Sequence, residues 1–166
     1  MTIKTRNDMQ QTNSETDRHR AALTQILNHH VALAADLYSQ IKQAHWNVVG
    51  SNFIALHKLF DEQAALVLGH VDLYAERIRA LRGVPAGTIR QAVRESPLAD
   101  LDARELQGEE AVNAILQRFE SYSASLTAAM EECEKHEDLA TQDIFIEAVR
   151  EVDKHAYFLR SHLRDW

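Results

Sequence analysis

Five residues in the first half of the chain, His45, His57, Asp61, Asp72 and Glu76, follow the spacing H-x11-H-x3-D-x10-D-x3-E. Imidazole and carboxylate are ligands for borderline and hard metal ions, and there is no thiolate among them to bias the set toward soft metals. His57/Asp61 and Asp72/Glu76 are each four residues apart, so on a helix each pair shares one face. A single His/Asp pair on an exposed helix is commonly just solvated. Two such pairs and a further histidine, set in otherwise apolar stretches, point to metal chemistry.

The elements that must position these residues are helical. The chain has 166 residues, 45% hydrophobic and 26% charged, enough for one domain with a real core. Five glycines and two prolines are too few for a strand-and-hairpin fold. Residues 1–16 are polar and without periodicity, which reads as a disordered N-terminal tail. From Asp17 the apolar positions Leu23, Ile26, Leu27, Leu33, Leu37 and Ile41 recur in steps of three and four, predicting a helix to Trp46. Asn47–Asn52 supplies a turn, with Ser51 or Asn52 available as a cap. A second helix is expected over Phe53–Leu81, stopped by Gly83-Val84-Pro85. The connection 84–107 carries Ile89, Val93, Leu98 and Leu101, enough to hold a short helix against the bundle. A third helix, with Glu109 and Glu110 in its first turn, runs from Gly108 to Cys133, and a fourth begins at Leu139. Four long helices with one long crossover between the second and third describe an all-α, ferritin-like four-helix bundle over residues 17–166.

The spacing of the ligands conflicts with a single-chain site. Asp61 and Asp72 are close to three full turns apart, so both pairs face one way, yet the helix rises roughly 16 Å between them. With metal–ligand bonds of about 2 Å, one ion cannot reach both pairs. The order His57–Asp61…Asp72–Glu76 is symmetric about a point between Leu66 and Val67. Two copies of this helix packed antiparallel on a two-fold axis would bring His57/Asp61 of one chain to Asp72/Glu76 of the other and form two sites. Ala64, Ala65 and Gly69 near the centre permit close approach, and His45 could complete the first half-site. A homo-oligomer is therefore expected. A di-metal site inside one bundle would carry Glu-x-x-His on two helices, and a zinc protease His-Glu-x-x-His; neither motif occurs.

Composition excludes other classes. A net charge of −7 does not suit a surface built for nucleic acid and would suit a protein that handles cations. One cysteine, Cys133 in an acidic Glu-Glu-Cys-Glu setting, forms no internal disulfide and fits a cytoplasmic protein. No apolar run approaches the ~18 residues that span a membrane, and the N-terminus does not read as a secretory signal.

The segment Lys42-Gln43-Ala44-His45-Trp46-Asn47-Val48-Val49-Gly50-Ser51-Asn52-Phe53, followed by Leu56-His57-Lys58-Leu59-Phe60-Asp61, resembles the Dps family of mini-ferritins. So do His70-Val71-Asp72-Leu73-Tyr74-Ala75-Glu76-Arg77, Gly83-Val84-Pro85, Asp143-Ile144-Phe145 and Glu151-Val152-Asp153-Lys154, a likeness covering about residues 20–160. The resemblance implies a hollow dodecamer with ferroxidase centres at two-fold interfaces. There Fe(II) is oxidised, typically by hydrogen peroxide, and stored inside as ferric mineral, protecting against oxidative stress. His45, His57 and Asp61 match the ligands from one subunit, and Asp72 and Glu76 those from its partner. Zinc would compete with iron for such ligands. Trp46 and Tyr74 adjoin the ligands and could take up stray oxidising equivalents, although packing as core aromatics is the better explanation of both. Asp138 and Asp143 match carboxylates of the family's three-fold pores, with Glu147 a weaker candidate; helix-start acids explain the two aspartates nearly as well.

Among the other histidines, His30 falls on an apolar stripe and is expected to pack, His70 lies on another face from Asp72, and an accessory metal site at Asp17 and His19 is a minor alternative. Many members of the family compact DNA through a lysine-rich tail. Here Lys4, Arg6, Arg18 and Arg20 face Asp8, Glu15 and Asp17, a margin of one positive charge over residues 1–20. Arg160 and Arg164 against Asp165 add one more at the other end. Phosphate neutralisation needs several cations acting together. A DNA-compacting protein with secondary metal binding is thus the alternative reading, and redox-silent zinc sequestration a third.

Overall fold

The computed structural model describes residues 6–163, with side chains from Glu15 to Leu163. Five helices and two very short strands follow in the order α1 (Arg6–Asn47), β1 (Val48–Val49), α2 (Phe53–Ala80), α3 (Ile89–Glu95), β2 (Leu106–Gln107), α4 (Gly108–Lys135) and α5 (Leu139–Ser161). The helix α1 is continuous from Arg6, so residues 6–16 are helical; the expectation of a disordered tail over residues 1–5 lies outside the described residues. The stretch 6–16 has no apolar face but also no glycine or proline, and nothing in it stops a helix that the bundle nucleates further on.

The helices α1 and α2 form one antiparallel hairpin and α4 and α5 a second. The crossover between the hairpins carries α3 and returns to lay β2 parallel to β1, in the register Val48↔Leu106 and Val49↔Gln107. This pairing fixes the start of α4 beside the α1–α2 turn. Gly50, at φ +111°, makes that turn sharp enough for the Phe53 amide to donate to the Gly50 carbonyl at 3.1 Å. Between the hairpins, Leu27, Leu37, Ile41, Phe60, Val67, Ile115, Phe119, Leu126, Phe145 and Val152 are fully buried. At ~25 cal/mol per Å² of apolar surface, this core is the main source of stability.

Helix termini differ in detail from the sequence expectation. Asn52 occupies the N-cap position of α2, but its side chain makes no capping bond. After α2 it is Arg82, not Gly83, that takes the left-handed conformation, at φ 66°. The Gly83 amide then donates to the Ile78 carbonyl at 2.8 Å, closing a Schellman-type end. Gly83 is needed for space instead: a Cβ there would sit 2.6 Å from Thr24 Oγ1 on α1 and 2.9 Å from Ile78 Cγ2. The short helix α3 is present, but Ala92 is its buried residue, and Ile89 and Val93 face outward at 83% and 74% exposure. On a seven-residue helix lying over α1 only one narrow edge can be covered, and the smallest side chain takes it.

His30 is packed, as its place on the apolar stripe of α1 predicts. Its ring lies against Phe145, Nδ1 donates to the Ile26 carbonyl at 2.8 Å, and Nε2 accepts from Ser125 Oγ at 3.1 Å. Burial pushes its pKa down to about 4 from 6.5. Between those values the unfolded chain binds a proton that the native state refuses. The stabilising effect is therefore complete above about pH 6.5 and is lost as pH falls toward 4, on the order of 3 kcal/mol in all. Urea unfolding across this range should show stability falling with pH, and His30→Gln should flatten that slope; an unchanged slope would contradict the assignment. Gly83→Ala should lower stability at neutral pH by about 1–3 kcal/mol, because Thr24 and Ile78 are both β-branched and stiff. The same urea titration reads that loss.

Candidate metal centre

His45 lies in the last turn of α1 and His57 near the start of α2, on either side of the Gly50 turn. The hairpin brings them together as a reciprocal pair. His45 Nδ1 lies 2.7 Å from the His57 carbonyl oxygen, and His57 Nδ1 lies 2.9 Å from that of His45. A carbonyl oxygen only accepts, so each Nδ1 carries the proton and donates it. Each Nε2 is then left with a bare lone pair, the form in which histidine binds a metal. The two rings stack at 3.7 Å and 22°, with Phe53 5.0 Å from His57, and His45 is buried.

One turn after His57, Asp61 is exposed and held by Lys42, whose Nζ donates to Oδ1 at 2.7 Å. That hydrogen bond, and then the charge of Lys42, hold the Asp61 carboxyl below the usual carboxylate range. Lys42 lies one turn before Trp46 and 5.9 Å from its ring centre, a cation–π contact. The ammonium thus occupies one side of the carboxylate that a metal would share. Lys42 was not singled out from the sequence, although its place at i−3 from His45 puts it on the same face of α1.

Asp72 and Glu76 are exposed on α2, one turn apart. They lie beyond reach of His57 and Asp61 by the rise of the helix, roughly 16 Å. Among the described residues no three His, Cys, Asp or Glu side chains converge closely enough to hold a metal ion. Between the two pairs, the outer face of α2 presents exposed Ala65, Leu68 and Gly69, and a Cβ on Gly69 would meet nothing within 4 Å. Leu68 is 49% exposed and Ile54 59%, an unusual outlay of apolar surface on a helix that also carries four candidate ligands.

The secondary candidates separate. Trp46 is 66% exposed and is not a core aromatic, whereas Tyr74 is fully buried. Asp138 caps α5, accepting from the Thr141 amide at 2.9 Å, and is gripped by Arg77 at 2.8 and 3.0 Å. The capping role open to a helix-start acid is therefore present. Asp143 and Glu147 are exposed on α5. Inside the bundle is a polar chain that sequence reasoning missed: Tyr74 and Tyr122 share a hydrogen bond at 3.0 Å, Tyr122 reaches His70 Nδ1 at 3.2 Å, and His70 Nε2 meets Glu151 at 2.9 Å. Burial keeps both phenols protonated. The helical phase of His70 was legible, but its partners come from other helices and left no local signal. No described helix is long and apolar enough to cross a membrane.

Comparison with known proteins gives a consistent result. The family model for the ferritin-like domain matches residues 24–166. The DNA protection during starvation protein of Agrobacterium fabrum is 30% identical over 164 residues, covering 99% of this chain and 98% of its own. That of Mycolicibacterium smegmatis is 32% identical over 151 residues, covering 89% and 80%. Among solved structures, Dps from Microbacterium arborescens in the high iron form is 35% identical with a TM-score of 0.83, covering 89% of this chain and 95% of that one. The tetragonal form of Mycobacterium smegmatis Dps is 30% identical with a TM-score of 0.85, covering 89% and 88%.

The Lys42–Asp61 contact generates a test. Removing the ammonium in Lys42→Met should return the Asp61 carboxyl upward to the ordinary carboxylate range, read by carbon NMR of labelled aspartate across an acid titration. An Asp61 titration identical in the two proteins would show that the contact does not form in solution.

Proposed function

Since the chain belongs to the Dps family of ferritin-like proteins, we propose that it oxidises Fe(II) at centres shared between two subunits and stores the ferric product inside a hollow dodecamer, in the cytoplasm. The observation that carries this reading is the division of the ligands along α2. His45 and His57 are locked with both Nε2 atoms bare beside Asp61. Asp72 and Glu76 stand exposed on the same helix, too far away to serve that end. A second copy of α2, antiparallel across a two-fold axis, supplies each half with the other. The exposed Leu68, Ile54, Ile89 and Val93 supply apolar surface of the kind that assembly would cover.

Iron is the substrate. In the proposed reaction two Fe(II) ions each give one electron to one hydrogen peroxide. The O–O bond breaks, and with two waters the products are two ferric oxyhydroxide units and four protons. Taking both electrons at a paired site leaves no hydroxyl radical to escape. His45 and His57 bind through Nε2, and their Nδ1–H···O=C bonds fix the ring planes. The carboxylates of Asp61, Asp72 and Glu76 neutralise the charge that builds on oxidation. Zinc fits the same donors and does not change oxidation state, so it acts as a competitor.

Anaerobic Fe(II) loading followed by peroxide, with ferric absorbance recorded, tests the chemistry. His45→Ala/Asp72→Ala should lose at least the 10- to 100-fold that disturbing a metal ligand's outer partners typically costs; unchanged oxidation would remove these residues from the site. Assembly is tested by Leu68→Arg, which should yield a smaller species on sizing with undiminished helicity. A wild-type monomer would defeat the two-fold arrangement.

A further inference from the structure

His19 and His136 form a second pair of imidazoles, away from the proposed shared centre. His19 is on α1 and His136 caps the C-terminus of α4, and both are half-buried. Their ring centres are 5.0 Å apart with the planes inclined at 60°. His136 Nδ1 is buried and has no hydrogen-bond partner among the described residues. A buried imidazole nitrogen with no partner is rare and calls for a water or an ion. His30 and His70, by contrast, use both ring nitrogens.

We propose that His19 and His136 together bind a borderline divalent cation of the zinc or copper(II) class. The ring separation fits. With metal–nitrogen bonds of about 2.0–2.1 Å, two imidazoles on neighbouring positions of one ion place their centres about 4.5–5.2 Å apart. The electrostatics fit as well, because the carbonyls at the C-terminus of α4 present the negative end of the helix dipole. No third His, Cys, Asp or Glu joins the pair among the described residues, so water completes the shell and the ion exchanges readily. Two imidazoles without carboxylate favour copper(II) and zinc over the harder cations, and so set this pair apart from the mixed His/carboxylate centre. A bound ion would cross-link α1 to the α4–α5 corner, which the sequence separates by more than a hundred residues.

Copper(II) is the probe, titrated into the intact assembled protein and followed by electron paramagnetic resonance and isothermal calorimetry. His45→Gln/His57→Gln, which lacks both imidazoles of the proposed shared centre, should show one site per chain with the splitting of two imidazole nitrogens, and wild type should show that site in addition to copper at the shared centre. Retention in His45→Gln/His57→Gln separates this pair from the proposed ferroxidase ligands. Added to that double variant, His136→Gln and His19→Ala should each weaken the site at least tenfold and abolish the two-nitrogen pattern. His19→Ala lies on a continuous helix and keeps the result readable if His136→Gln disturbs the end of α4. Equal affinity and identical spectra with and without His19 or His136, or copper bound without a two-nitrogen signature in His45→Gln/His57→Gln, would overturn the proposal.

Discussion

An α-helix advances about 1.5 Å per residue and cannot double back, and that rise along α2 governs much of what this protein can be. It places His57 and Asp61 at one end of an exposed face and Asp72 and Glu76 near the other. No rotamer closes the distance. A chain with these ligands on one straight helix either leaves two half-sites unfinished or finishes them with a second copy. The apolar residues between the pairs, Leu68 above all, are placed where such a copy would lie.

The interior of the bundle is committed elsewhere. His70, Tyr74, Tyr122 and Glu151 satisfy one another in a single hydrogen-bonded chain, which gives three helices a common polar seam. A satisfied network of this kind specifies one arrangement of the helices. His45 and His57 lie at the rim, where the α1–α2 hairpin ends and the parallel β1–β2 contact holds the start of α4 in place. The histidine pair at that rim is part of the fold as well as of the site, since each ring is tied to the other's backbone.

The helices were legible because they rest on periodicity, and the five candidate ligands stand out by their spacing along α1 and α2. What was not legible depends on partners distant in sequence. Gly83 reads as a helix stop, yet its role is to admit Thr24 from α1, while Arg82 makes the left-handed turn. Ile89 and Val93 read as core, but a single-turn contact over α1 has room only for Ala92. Trp46 reads as a buried aromatic and is exposed, because it falls on the outer face of the last turn of α1, whose inner face carries buried Ala44 and His45. Asp138 matched a pore position, and only the folded chain reveals Arg77 across from it.

The Lys42–Asp61 ion pair bears on how the proposed half-site would hold a metal. Before any cation arrives, the carboxylate is already neutralised by an ammonium on a flexible stem. A monovalent ion offers nothing that lysine does not, so only a divalent ion with coordinating power gains by displacing it. That ion must in turn compete with a tethered rival that never diffuses away, which lowers its net hold. On the proposed reading, a half-site built this way favours transit of the ion over its retention.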